Sequence, residues 1–132
     1  MPEIALISIV DDDALFRQAV EQLMRSHGLA ARTFVSAESY LRSSSVKETR
    51  CLIADVHMPN MTGLELQERL SHLGFDIPII FITAHPDDAT RTTAMNAGAI
   101  GFLHKPLDLQ GQRLVDCVQD ALNKARRPSA GK

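Results

Sequence analysis

Three aspartates in a row, Asp11, Asp12 and Asp13, follow directly on the apolar run from Ile4 to Val10. Adjacent carboxylates repel one another unless a cation sits among them. Later apolar runs each deliver one polar group as well. Leu52-Ile53-Ala54 leads to Asp55, Ile79 to Ile82 leads to Thr83, and Ile100 to Leu103 leads to Lys105. Oxygen ligands with no cysteine cluster nearby favour Mg²⁺ or Mn²⁺ over Zn²⁺. Mg²⁺ is held by one or two carboxylates and keeps waters for a phosphate, which suits Asp11, Asp12 and Asp55 as a ligand set. A carboxylate can also act as a nucleophile and become an aspartyl-phosphate, and Asp55 is the candidate for that role. Phosphoryl transfer asks mainly for in-line placement and neutralised charge on the transferring oxygens. The Lys105 ammonium, beside the divalent ion, is the candidate for that neutralisation.

Each of these residues has a plainer reading. Asp13 is read as the N-cap of the first helix, and the same reading stays open for Asp11 and Asp12. Thr83 either bonds a phosphoryl oxygen or caps a helix before Pro86. Ala84 beside it leaves room for a phosphodonor. Lys105 gains weight from its place between a short strand and Pro106, where a cis peptide fits. His57, His85 and His104 lie near strand ends, match no standard zinc spacing and read as exposed loop residues.

These groups converge only if the elements carrying them share one sheet edge. Apolar strand-like runs alternate with helical patterns along the chain, the signature of βα units and a parallel sheet. Strands are expected from Ile4 to Val10, Ala30 to Phe34, Cys51 to Ala54, Ile77 to Ile82 and Ile100 to Leu103. The first helix carries Phe16, Val20, Leu23 and His27 at helical spacing and ends at Gly28. Ser36 is an N-cap candidate for a short helix holding Tyr40 and Leu41, and residues 43–48 read as a polar loop. Thr62-Gly63-Leu64-Glu65 has capping-box form, opening a helix with Leu66, Leu70 and Leu73 on its core stripe. The fourth helix, residues 86–97, is threonine-rich, with only Ala89, Ala94, Met95 and Ala97 apolar. The last, from about Asp108, carries Leu114, Val118, Ala121 and Ala125. Five strands and five helices result, a doubly wound α/β pattern for which the flavodoxin-like strand order 2-1-3-4-5 is the expectation. In that order strands one and three are neighbours, and ligands bind outside the carboxyl ends of the strands.

The chain has 132 residues, a single-domain length, with net charge −2, so no global basic field recruits nucleic acid or an anionic membrane. Residues 1–125 are read as the domain, and 126–132, containing Arg126, Arg127 and Lys132, as a basic tail or truncated linker. No apolar run approaches the roughly 20 residues needed to span a bilayer, and no signal peptide is expected. Cys51 and Cys117 fall in apolar patterns and read as buried thiols, which fits a reducing, cytoplasmic setting.

Val10-Asp11-Asp12-Asp13, the run from Asp55 to Gly63, Thr83-Ala84 and Lys105-Pro106 resemble the receiver domain of two-component response regulators over residues 4 to 125. The resemblance implies a Mg²⁺-dependent phosphoacceptor, Asp55, that takes its phosphoryl group from a phosphohistidine on a sensor histidine kinase. It places Asp11, Asp12, Asp55 and the backbone carbonyl of His57 on the ion, and Thr83 and Lys105 on the phosphoryl oxygens. Phe102 would be the aromatic switch residue, held inward by packing alone because it lacks a hydroxyl. The domain would catalyse only its own phosphorylation and dephosphorylation. The run from Phe34 to Leu41 is similar to receivers that precede a LuxR-like helix-turn-helix. Transcriptional output would act on DNA through such a domain, which this segment lacks. The threonine-rich helix and the fifth strand would form a phosphorylation-dependent homodimer face. Two alternatives stay open: a small aspartyl-phosphate phosphatase, weakened by His57 where a second acid should stand, and a pseudo-receiver, weakened by the complete site set.

Overall fold

A computed structural model describes residues 5–108 and 111–126, with the side chains of residues 124–126 left out of the description. Five strands, β1 (Leu6–Val10), β2 (Ala30–Phe34), β3 (Thr49–Asp55), β4 (Ile79–Thr83) and β5 (Gly101–His104), form one sheet. Their order is β2-β1-β3-β4-β5 and every pairing is parallel. This is the expected doubly wound arrangement. Among the described residues six helices connect them: α1 (Ala14–Ser26), α2 (Ala37–Leu41), α3 (Ser45–Glu48), α4 (Gly63–His72), α5 (Asp88–Asn96) and α6 (Gln112–Arg126).

Side chains alternate along a strand, so each buried strand feeds two cores. Ile7, Ile9, Cys51, Ile53, Ile80 and Ile82 pack with Val20 and Met24 of α1 and with Leu114 and Val118 of α6. On the other face Val10, Leu52, Ala54, Phe81 and Phe102 meet Tyr40, Leu66, Leu70 and Ala94 from α2, α4 and α5. The all-apolar strands of the sequence are thus central strands covered on both sides.

Several expected boundaries move, each for a local reason. The supposed loop at 43–48 contains α3, because Val46 is buried and the Ser45 carbonyl accepts from the Thr49 hydroxyl at 2.6 Å. β4 starts at Ile79 rather than Ile77, though the Pro78 carbonyl still accepts from Leu52 N at 2.9 Å. α5 starts at Asp88, not Pro86, since the Asp87 carboxylate takes the Thr90 amide at 2.8 Å. α6 spans Gln112–Arg126, and Gly111 N donates to the Asp108 carbonyl. His27 and Leu73 are not core residues: each sits at a helix C-cap and is exposed, while Met24 occupies the buried position on α1. Ser36 and the Thr62–Glu65 pair do form capping boxes. Ile4, the Ala125 side chain and residues 127–132 of the expected tail lie outside the described residues.

Candidate functional site

The parallel register carries the site residues to one edge. β1 lies beside β3 with Val10 opposite Ala54, so Asp11 and Asp55, one residue further on, end up side by side. Thr83 closes β4 opposite His104, and Lys105 follows directly. Lys105 N donates to the Thr83 carbonyl at 2.8 Å, and the Lys105–Pro106 peptide is cis.

The two buried carboxylates are dressed alike. Asp11 Oδ1 accepts from the Asp13 amide at 2.9 Å, and Asp55 Oδ1 accepts from the His57 amide at 3.1 Å. On the opposite oxygens, Lys105 Nζ lies 2.9 Å from Asp11 Oδ2 and 3.2 Å from Asp55 Oδ2. Thr83, fully buried, uses its hydroxyl as acceptor for the His85 amide at 3.1 Å. Asp11, Asp55 and Thr83 are therefore each oriented by the backbone amide two residues ahead, a local turn available to Asp and Thr.

Asp12 is exposed, yet it completes a cluster with Asp11 and Asp55 in which one oxygen from each lies within 4.8 Å of the others. Two buried carboxylates and one exposed carboxylate, all hard oxygen donors, fit a small divalent ion that retains water. Asp13 stands apart from this cluster and caps α1 through the Leu15 and Phe16 amides. His57, His85 and His104 are exposed, and none belongs to a metal-sized cluster among the described residues.

Charge balance follows from this geometry. Burial pushes the Asp11 carboxyl above its ordinary 3.8, against the pull of the Asp13 amide and Lys105, while the Asp55 charge adds to the rise. Burial works to lower Lys105. The Asp11 hydrogen bond and the charges of Asp11 and Asp55 outweigh it and hold the amine above 10.5. Cys51 is buried and its thiol is pushed up to about 12, so it is inert, while Cys117 is half-buried.

Three residues support the site through contacts that the sequence does not show. Gly63 ends the Asp55–Gly63 run and sits in a capping box, and its packing role comes from the fold: a Cβ there would collide with the Asp55 carbonyl oxygen and meet Phe81 at 3.0 Å. The Arg17 guanidinium donates to the Asp11 carbonyl at 2.7 Å, tying α1 to the end of β1. Phe16, one turn into α1 and spaced like a core residue, places its ring 4.4 Å from Lys105 Nζ. Phe102 is buried against Phe81, Ala94 and Ala99. The Arg91 guanidinium lies 5.9 Å from its ring, so packing is not the ring's sole contact.

Comparison with known proteins agrees with this arrangement. Residues 7–119 match the response regulator receiver domain. Nodulation protein W of Bradyrhizobium diazoefficiens is 40% identical over 123 residues, covering 93% of this chain and 53% of that protein. Transcriptional regulatory protein FixJ of Azorhizobium caulinodans is 36% identical over 108 residues, 82% of this chain and 51% of that protein. The crystal structure of FixJ-N superposes with a TM-score of 0.81 at 30% identity, covering 98% of this chain and 99% of that one. The chain spans about half the length of the curated relatives it matches.

Proposed function

The chain belongs to the response regulator receiver domain family, and from that premise we propose that Asp55 is its phosphoacceptor, serving a sensor histidine kinase. An Asp55 carboxylate oxygen attacks the phosphorus of a phosphohistidine, and the new O–P bond forms as the P–N bond breaks. The departing imidazole nitrogen keeps the electron pair and takes a proton from water. The observation that carries this reading is the Lys105 ammonium within 3.2 Å of both buried carboxylates at the edge shared by Thr83.

Asp11, Asp12, Asp55 and the His57 backbone carbonyl would hold Mg²⁺, with Mn²⁺ as a substitute. Such an ion neutralises charge on the phosphoryl oxygens and helps orient them. Lys105 and the Thr83 hydroxyl would take the remaining oxygens, and Ala84, exposed beside them, leaves the approach open. Thr83 must give up the His85 amide to turn toward the phosphoryl group, which links the site to the β4–α5 loop. Through that loop Phe102 would act as the switch. The α5–β5 face, where Met95 and Ile100 are exposed, is the candidate homodimer surface. Transcription is the proposed output, supported by relatives named as transcriptional regulators. Contact with DNA would fall to a segment beyond the receiver. No described helix is long and apolar enough to cross a membrane.

Incubation with Mg²⁺ and acetyl phosphate, followed by intact-protein mass measurement, tests the proposal. One phosphoryl group should add to the native protein and none to Asp55→Ala. An unmodified native protein, or an equally modified variant, overturns it.

A further inference from the structure

Among the described residues Lys105 is the one cation that pairs with both buried carboxylates, and its ammonium has a third neighbour. The Phe16 ring lies 4.4 Å from Nζ, well inside the range at which an aromatic face attracts a cation. The Lys105 side chain is 13% exposed, so little water screens the contact. Phe16 is half-buried and packs on the core shared by α1, β1 and α6, which fixes its ring. α1 is itself anchored at this end by the Asp13 cap and by Arg17 on the Asp11 carbonyl. The ring is therefore a fixed wall, and the ammonium is held between it and two carboxylates.

This arrangement has a consequence for the cation site. Asp11 Oδ2, at 2.9 Å from Nζ, belongs to a carboxylate of the Asp11–Asp12–Asp55 cluster. A divalent ion entering that cluster competes with the ammonium for Asp11. Whatever steadies Lys105 against Asp11 therefore weakens the ion, to the extent that the ion must displace the ammonium. We propose that Phe16 is a positioning residue for Lys105: its ring holds the ammonium against Asp11 and Asp55 and thereby sets how strongly Lys105 competes with a divalent ion.

The inference rests on the reading of the carboxylate cluster as a Mg²⁺ site, so two measurements are needed. In the first, the Lys105 Hε protons are followed by NMR without metal. They should be shifted upfield by the ring in the native protein and in Phe16→Tyr, and should lose that shift in Phe16→Leu. In the second, Mg²⁺ affinity is measured by calorimetry. Phe16→Leu should bind Mg²⁺ about two- to fivefold more tightly, the lower end of what a cation–π contact supplies, while Phe16→Tyr stays near native. In a Lys105→Met background the Phe16→Leu effect should vanish. A merely structural role for Phe16 predicts weaker binding, not tighter. Unshifted Hε protons in the native protein, weaker or unchanged Mg²⁺ binding in Phe16→Leu, or the same gain without Lys105 would each overturn the proposal. A native protein that bound no Mg²⁺ would sink the metal reading instead, and the positioning of Lys105 would then be decided by the NMR shift.

Discussion

Two flanks of the same sheet face are fastened in opposite ways. At the α2–α3 corner, Tyr40 is fully buried and its hydroxyl donates to Thr49 Oγ1 at 2.9 Å. Thr49 Oγ1 also lies 2.7 Å from the Ser8 hydroxyl of β1 and donates to the Ser45 carbonyl of α3. Two strands and two helices thus meet at one satisfied polar knot inside an apolar core. At the α5 flank, Ala94 is the only buried residue among the nine of the helix. One side-chain hydrogen bond ties it to α4, from Gln67 Nε2 to the Ala94 carbonyl at 3.1 Å. A knot with every group paired rigidifies its surroundings. A helix with one small buried side chain opens at lower free energy than the sheet beneath it. The difference teaches where movement is cheap: next to Thr83 and Phe102, and away from the α2–α3 corner.

The contrast can be broken most forcefully at Tyr40. Tyr40→Ala removes a fully buried ring and one donor to Thr49 Oγ1, and should cost about 3–5 kcal/mol in urea unfolding. A loss under about 1 kcal/mol would mean that the corner is no anchor. The next effect is smaller and local. Gln67→Leu should leave global stability within about 1 kcal/mol, because the Ala94 carbonyl keeps its bond from Ala99 N at 3.0 Å. Amide exchange across residues 88–96 should nevertheless quicken by about 2- to 10-fold, with residues 37–49 unchanged. Equal acceleration on both flanks would erase the distinction.

The smallest effect concerns the start of α5. The Asp87 carboxyl is held below its ordinary 3.8, chiefly by the Thr90 amide, with the Thr90 hydroxyl and the Ala89 amide adding to the effect and slight burial opposing it. A carboxyl with a lowered folded value contributes stability that is present above the unfolded value of 3.8. That contribution is lost as pH falls through the folded value below it. Native protein and Asp87→Ala should therefore differ in α5 exchange at neutral pH and converge in acid below pH 3.8. A difference that persisted unchanged at the lowest pH would show that the carboxylate is not the cap that matters.

Much of this is legible in the sequence. Four apolar runs, each leading into polar residues, located Asp11, Asp55, Thr83 and Lys105, because strand patterns are written in short-range order. The caps at Asp13, Ser36 and Thr62 were legible for the same reason, since a cap involves residues two or three apart. The weak anchoring of α5 was visible as a lack of large apolar side chains. What sequence patterns missed were contacts made across the fold. Residues 43–48 are polar enough to read as loop, yet Thr49 draws Ser45 into a helical turn. Leu73 kept the helical spacing but fell past the end of α4. Gly63 needs its missing Cβ only because α4 starts against the Asp55 carbonyl.

The sequence by itself determined the alternation of elements, the edge where the polar groups emerge and the chemistry those groups could perform. Hydrophobic periodicity and capping act within a few residues, so they are fixed by local order. The tertiary structure alone decided that the Lys105 ammonium bridges the Asp11 and Asp55 carboxylates, which come from separate strands far from it in the chain. It likewise set the Phe16 ring against that ammonium and left Gln67 as the side-chain tie between α4 and α5. Those distances depend on how helices settle on a twisted sheet, and no pattern of neighbours along the chain specifies them.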